Sequence, residues 1–140
     1  VRTSPLKEDA SSRDYLIRNL TGIDPDKGVL SIGALLRPGQ PVQFHLRDKR
    51  TSAEDLRLML GRYAEGRPQP SPAGALLFSC LGRGTHLYGV PDHDTQVFHQ
   101  TVGPVPLGGF FCNGEIGPVD GSTYLHGYTS CFGIFRPQTA

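Results

Sequence analysis

The sequence predicts an α+β domain in which two helices pack against a mixed, largely antiparallel sheet, in the order βββ-α-β-α-ββ. Residues 42–46 alternate apolar and polar side chains with the period of a strand, and residues 51–64 carry apolar side chains at helical spacing. Residues 75–80 form a continuous apolar run of strand length. The 140 residues amount to one domain, so we expect residues 1–140 to form a single unit that opens with an extended segment at residues 1–13.

Three strands are expected before the first helix. Residues 14–21 and 29–32 are β-prone runs on either side of a turn that contains proline and glycine, which favours a hairpin. A second turn at residues 37–40, with proline and glycine in its central positions, leads into the alternating segment 42–46. Together these runs predict a three-stranded antiparallel meander.

One helix is expected at residues 51–64, followed by a Pro-rich connector loop at residues 67–73. Thr51 and Ser52 stand where their hydroxyl groups can cap its first turn. Its apolar stripe consists of Leu56, Met59, Leu60 and Tyr63.

The composition changes in the second half of the chain. Twelve of the 18 glycines lie from residue 74 onward, but only two of the 14 basic residues do. The apolar run at residues 75–80 predicts a central strand buried on both faces, and residues 92–102 predict a short helix. Residues 107–113 and 124–135 predict two further strands, joined by a long glycine-bearing turn.

Charge, hydropathy and cysteine usage exclude several classes of protein. The 14 basic and 13 acidic residues give a formal net charge of +1, which argues against a nucleic-acid partner. No apolar run reaches the roughly 18 residues of a membrane span, and we expect neither a membrane segment nor a signal peptide. Three widely spaced cysteines without a Cys-x-x-Cys pair indicate neither a zinc ribbon nor a disulfide framework. We therefore expect a cytoplasmic protein with free thiols and no cofactor.

The first candidate site follows the strand predicted at residues 75–80. Gly82 and Gly84 flank Arg83, so the backbone there can approach a ligand closely, and the guanidinium offers a planar fork for a carboxylate or phosphate. Ligands bind at the carboxyl ends of strands in open α/β sheets. The alternative is a tight turn whose arginine forms a structural salt bridge.

The second candidate is the glycine-bearing turn at residues 114–121, which contains Gly114, Glu115 and Gly117. A carboxylate in so apolar a stretch needs a partner if it is buried. Arg83 is the one basic residue in a long part of the chain, which favours an Arg83–Glu115 pair. The alternative is a hairpin turn whose glutamate faces water.

A third group of candidates lies near the carboxyl end. His126 and Tyr128 are two residues apart on the strand predicted at 124–135 and share a face, whereas Cys131 falls on the opposite face. This placement disfavours a Cys131–His126 pair, and leaves Cys80 with His126 as the arrangement that a cysteine hydrolase or transferase would need. The histidines lack the spacing of metal ligands, so no metal site is expected.

Several segments together carry a resemblance to a known family. They are residues 16–20 (LIRNL), 22–24 (GID), 39–48 (GQPVQFHLRD), 54–56 (EDL), 75–84 (ALLFSCLGRG), 109–119 (GFFCNGEIGPV) and 125–129 (LHGYT). In this order they resemble the FIST C domain, the C-terminal half of the FIST proteins, over about residues 14–135.

The resemblance implies an intracellular sensory domain of signal-transduction proteins that binds a small ligand, with amino acids or related compounds as the suggested ligands. FIST domains also occur in F-box proteins that select substrates for ubiquitination, which makes a protein-interaction module the alternative. The partners that the resemblance implies are an upstream FIST N domain and a signalling protein. It brings no set of catalytic residues.

The candidate residues suit a zwitterionic amino acid, because Arg83 would hold its carboxylate and Glu115 its ammonium group. Small-ligand sites are otherwise mostly apolar. Four ring-bearing side chains would wall the pocket: Phe110, Phe111, His126 and Tyr128. The whole predicted site comprises Cys80, Gly82, Arg83, Gly84, Phe110, Phe111, Gly114, Glu115, Gly117, His126 and Tyr128. The sequence therefore favours a binding domain over an enzyme.

Overall fold

The computed structural model describes residues 15–66, 70–119 and 121–138. Its elements are β1 (Leu20–Asp24), β2 (Val29–Ile32), α1 (Lys49–Gly66), β3 (Gly74–Cys80), α2 (Thr85–Tyr88), α3 (His93–Val102), β4 (Leu107–Cys112), β5 (Glu115–Val119), β6 (Ser122–His126) and β7 (Ser130–Phe135). The predicted α+β class is confirmed. The segment expected at residues 1–13 and the first part of the Pro-rich connector, residues 67–69, lie outside the described residues.

A mixed sheet of three strands, in the order β4-β3-β7, forms the centre of the domain. β3 pairs parallel with β4 and antiparallel with β7, so it is the central strand, as predicted. Burial on both faces, however, is wrong. Ala75 and Leu77 are buried, but Leu76 between them is 39% exposed. The helices therefore cover one face of the sheet, and the other face is open.

The core lies between the covered face of this sheet and the helices α1 and α3. Its buried residues are Leu56, Leu60, Ala75, Val97, Phe98, Val102 and Val105. Phe98 is fully buried and stacks on Phe132 of β7, with 5.3 Å between the ring centroids. Burial of one such ring contributes about 2–3 kcal/mol to the stability of the fold. The short helix α2 was not predicted.

Helix α1 was predicted, but its cap was not. It begins at Lys49, and the carboxylate of Asp48 accepts hydrogen bonds from the backbone N–H groups of Arg50 at 3.0 Å and Thr51 at 3.1 Å. The same bonds lower the pKa of Asp48. Thr51 is thus inside the helix and receives the cap rather than providing it. The predicted stripe is buried at Leu56 and Leu60, partly buried at Tyr63 and exposed at Met59.

The predicted meander is only half present. β1 and β2 form the expected antiparallel hairpin, although β1 begins at Leu20 and residues 15–19, which were predicted to belong to it, lie before it. The turn at residues 37–40 closes with a 3.1 Å backbone hydrogen bond from Gln40 to Arg37. The third strand, at residues 42–46, is wrong, because this segment has no regular structure and its apolar side chains are exposed. Alternation makes a strand only where a neighbour supplies hydrogen bonds and a buried face.

The carboxyl-terminal strands also differ from the prediction. The expected turn at residues 114–121 contains β5, which pairs antiparallel with β6. The single strand expected at residues 124–135 is divided into β6 and β7 by residues 127–129, where Tyr128 has a φ of 64°. A residue whose backbone is in this left-handed region interrupts the extended conformation of a strand. Among the described residues, three of the four strand pairings are antiparallel, as the predicted sheet type requires.

Candidate functional site

Arg83 is turned into the protein and forms a buried ion pair with Asp94 of α3. Its Nε atom lies 2.7 Å from Asp94 Oδ2, and its Nη2 atom lies 3.0 Å from Asp94 Oδ1. Nη2 also donates to the hydroxyl group of Tyr88 at 2.5 Å. The predicted pairing of Arg83 with Glu115 is therefore wrong, because the Nε and Nη2 atoms of Arg83 bind Asp94 and the carboxylate of Glu115 has other partners. The open alternative, a turn whose arginine forms a structural salt bridge, describes Arg83 better.

Asp94 collects further hydrogen bonds. The hydroxyl groups of Ser79 and Ser130 donate to its Oδ2 atom at 3.2 and 2.7 Å, and His93 Nδ1 lies 3.0 Å from Oδ1. Burial opposes ionisation of this carboxyl group, but the hydrogen bonds and charge of Arg83, followed by Ser130 and His93, outweigh it and lower the pKa of Asp94 to about 2. Asp94 is therefore a buried anion that joins β3, β7 and α3.

Glu115 is only 1% exposed and is satisfied by other neighbours. Its Oε2 atom accepts hydrogen bonds from the backbone N–H of Thr129 at 3.3 Å and from the Thr129 hydroxyl group at 3.0 Å. The thiol of Cys112 lies 3.6 Å from Oε1. Gly114, just before it, has a φ of 147°, so the chain turns sharply into β5. These contacts fix the start of β5 against the connection between β6 and β7.

Cys131 and His126 lie close together but do not form an activated nucleophile. Burial raises the pKa of both Cys112 and Cys131. His126 Nε2 is engaged with the carbonyl oxygen of Gly117 at 2.9 Å. The expectation that Cys131 and His126 lie on opposite faces is wrong, because the break between β6 and β7 brings both against Gly117. Cys80 is buried at the end of β3.

Side chains of the domain lie close to both glycines that flank Arg83. A Cβ atom on Gly82 would lie 2.8 Å from Nη1 of Arg47, whose guanidinium donates to the Gly82 carbonyl oxygen and covers the ring of Tyr128 at 4.4 Å. Gly84 has a φ of 65°, and a Cβ atom there would lie 2.9 Å from the ring of Phe111. The backbone conformation at position 84 therefore favours glycine, whereas at position 82 movement of the flexible Arg47 side chain would make room for a larger residue.

A cavity of about 360 Å³ lies between β4, the second half of β3 and the first turn of α3. Its lining residues are Leu77, Ser79, Gly84, Thr85, Pro91, Asp92, His93, Asp94, Thr95, Leu107, Gly108, Gly109, Phe110 and Phe111. Three predicted site residues, Gly84, Phe110 and Phe111, are among them. The first turn of α3 was not predicted to be part of the site. The only signal for it in the sequence was a carboxylate at the start of a predicted helix.

Asp92 has an unusual conformation at the mouth of α3. It stands at the N-cap position, but its φ is 56° and its side chain makes no capping hydrogen bond. A non-glycine residue in the left-handed region is strained, and such strain is concentrated at functional sites. Asp92 is exposed and lines the cavity. Its carboxylate does not accept a capping hydrogen bond from the first N–H groups of α3.

The described part of the chain contains neither a candidate metal site nor a helix that could cross a membrane. No group of three or more His, Cys, Asp and Glu side chains in it is arranged to hold a metal ion. None of its helices combines the length and the apolar character needed to cross a membrane.

A family model and several known proteins match this chain. The model of the FIST C domain matches residues 2–118. An uncharacterised protein of Mycobacterium tuberculosis is 47% identical over 122 residues, which are 87% of this chain and 32% of that protein. An uncharacterised protein of Mycobacterium bovis is 43% identical over 87% of this chain and 31% of its own. An F-box/LRR-repeat protein of Arabidopsis thaliana is 27% identical over 80% of the chain and 22% of its own. The chain spans about a third of the mycobacterial relatives.

Proposed function

This chain belongs to the FIST C domain family, a family of sensory domains of signal-transduction proteins, and on that premise we propose that it binds an amino acid or a related small carboxylate. We further propose that it acts as one domain beside an upstream FIST N domain, in the cytoplasm, and relays ligand binding to a signalling partner. The observation that carries the ligand proposal is the cavity at the first turn of α3, into which Asp92 brings a carboxylate that does not cap the helix.

Asp92 provides the contact for the ammonium group of the ligand. Its carboxylate is exposed, lines the cavity and has no capping bond to give up. The carboxylate of the ligand would be held by the uncapped N–H groups at the start of α3, where the helix dipole also favours a negative charge. The negative Asp92 carboxylate and the positive end of the α3 dipole therefore match the two charges of a zwitterion.

The apolar lining of the cavity suits an aliphatic side chain. Leu77, Leu107 and Phe111 contribute its apolar surface, and a volume of about 360 Å³ falls within the range of small-ligand sites. In this arrangement Arg83 and Asp94 do not contact the ligand. Their ion pair fixes the first turn of α3 against β3 and so positions Asp92.

Calorimetric titration with leucine, leucinamide and N-acetyl-leucine tests the proposal. We expect leucine to bind and each derivative to bind at least about tenfold more weakly, because each lacks one of the two charges. Asp92→Asn should weaken leucine binding by at least about tenfold. Asp26→Asn, at an exposed position in the hairpin turn, is the matched control and should bind like the unaltered chain. The proposal is wrong if no amino acid binds, or if both variants bind leucine equally.

A second candidate function, a protein-interaction module, is favoured by the open face of the central sheet. Leu76, Phe110 and Phe135 are 39%, 63% and 56% exposed on the three strands of this sheet. Exposed apolar patches of this kind mark interaction sites. Substitution of Leu76 and Phe135, which do not line the cavity, by serine should weaken binding of a protein partner while leucine binding is kept. Loss of the partner with Asp92→Asn instead would assign partner and ligand to the same site.

A further inference from the structure

β4 leaves one edge of the central sheet open. β3 is the only described strand that pairs with it. The carbonyl groups of Pro106 and Cys112, at the two ends of β4, accept hydrogen bonds at 2.9 Å from N–H groups in and just after β3. A parallel strand bonds its neighbour through alternate residues. Backbone groups that face away from β3 therefore belong to Leu107, Gly109 and Phe111.

This edge lacks the features that normally prevent strand pairing. The sequence of β4, LGGFFC, contains no charged residue and no proline, and its four central residues are exposed. Natural edge strands are usually protected by lysine, proline or a covering element. An uncharged and exposed edge is a template to which another strand can add.

The open edge is also a wall of the cavity. Residues 107–111 line it together with Asp92 and Thr95, so a chain that pairs with β4 would pass the Asp92 carboxylate. A Cβ atom on Gly108 would meet only Leu76 Cδ2, at 3.8 Å. Packing within the described residues therefore does not require a glycine at position 108, whereas close approach of another backbone does favour one.

We propose that the domain captures the amino terminus of an extended peptide, which adds as a strand to the open edge of β4 while its terminal ammonium group pairs with Asp92. This inference rests on the proposed function, in which Asp92 holds the ammonium group of an amino acid, and it extends the ligand from a free amino acid to a peptide. The charged residues that line the cavity favour the cationic amino terminus of a peptide. The described lining residues include Asp92 and Asp94 but no lysine or arginine, and Arg83 already neutralises Asp94.

Titration of the chain with leucine, the tripeptide Leu-Val-Ala and its N-acetylated form tests the inference. We expect the free tripeptide to bind at least about tenfold more tightly than leucine, because its backbone hydrogen bonds to the edge outweigh the contact that the leucine carboxylate makes at the start of α3. Acetylation should weaken its binding by at least about tenfold in the unaltered chain and in Asp26→Asn, but not in Asp92→Asn.

Two N-methylated tripeptides test the strand pairing itself. Successive amides of a strand point in opposite directions, so methylation of either the valine or the alanine nitrogen, but not both, should remove a hydrogen bond to β4. We expect the two isomers to differ in affinity by at least about tenfold. Equal affinities would overturn the strand addition.

The remaining outcomes separate this inference from the proposed function. If leucine binds in an Asp92-dependent way and the tripeptide binds no more tightly, the peptide inference is overturned and the amino-acid site stands. If neither leucine nor the tripeptide binds, both are overturned.

Discussion

The guanidinium of Arg83 and the carboxylate of Asp94 form a two-point contact, with Nε to Oδ2 at 2.7 Å and Nη2 to Oδ1 at 3.0 Å, in a site where both side chains are less than 10% exposed. The contact joins the turn after β3 to the first turn of α3, the two segments that enclose one end of the cavity. Fork-to-carboxylate geometry of this kind fixes orientation as well as distance. The shape of the cavity therefore depends on this pair.

Replacing Arg83 tests how much the pair contributes. Arg83→Ala leaves Asp94 buried beside a void, and removal of one partner of a buried pair costs about 3–5 kcal/mol. Arg50→Ala is the matched control, since the Arg50–Glu54 pair is exposed and should contribute less than about 0.5 kcal/mol. Urea unfolding of the two variants measures the difference. Equal losses would show that the buried pair has no special role.

The same pair predicts how stability depends on pH. The pKa of Asp94 falls from 3.8 to about 2 on folding, so the folded state favours the ionised form. A group with a lowered folded pKa stabilises the fold above its unfolded pKa, and this contribution is lost as the pH falls from about 4 to about 2. The shift corresponds to about 2 kcal/mol. Urea unfolding at pH 5 and pH 2 should show a loss that is larger by this amount in the unaltered chain than in Asp94→Asn. Identical losses in both would contradict the assignment.

Two adjacent glycines in β4 should differ sharply in their tolerance of a methyl group. Gly109 has a φ of 153°, and a Cβ atom there would lie 2.0 Å from the carbonyl oxygen of Leu77, so Gly109→Ala must displace β4 from β3. We expect a loss of at least about 3 kcal/mol or failure to fold. Gly108→Ala has only a 3.8 Å contact with Leu76 and should change stability by less than about 1 kcal/mol. Thermal unfolding of both variants checks this, and a stable Gly109→Ala protein would show that β4 is not held in this register.

The sequence predicted the elements whose signals are local. Helix α1 and strand β3 both lie where they were expected. Apolar side chains at helical spacing and an apolar run of strand length are signals that one segment carries by itself. β5 was missed because Gly117 and Pro118 are typical of turns, yet Pro118 pairs with Thr123 across the hairpin. A proline is tolerated there where its missing N–H is not needed for the pairing.

The candidate site was only partly predictable for a different reason. The glycines around Arg83 predicted close approach of a ligand to the backbone, whereas the atoms found beside them belong to Arg47 and Phe111. Glu115 was assigned by elimination as the carboxylate that pairs with Arg83. The actual partner, Asp94, lies in the first turn of α3, and the packing of α3 on β3 brings it to Arg83. Which of two carboxylates meets a buried guanidinium depends on tertiary contacts, and spacing along the chain does not contain that information.

Cysteine alkylation separates a binding domain from a cysteine hydrolase. Burial raises the pKa of the Cys112 and Cys131 thiols and so disfavours their thiolates at pH 7, and Cys80 is buried. We expect iodoacetamide to modify all three at least about tenfold more slowly in the folded chain than in urea at the same pH, because the thiolate is the reacting species and folding also limits access to it. Mass spectrometry of peptides gives the rate at each position. His126→Ala, which removes the histidine that lies with Cys131 against Gly117, should leave the rates within about twofold. Fast labelling of Cys80 that is lost in His126→Ala would contradict this expectation and favour the hydrolase.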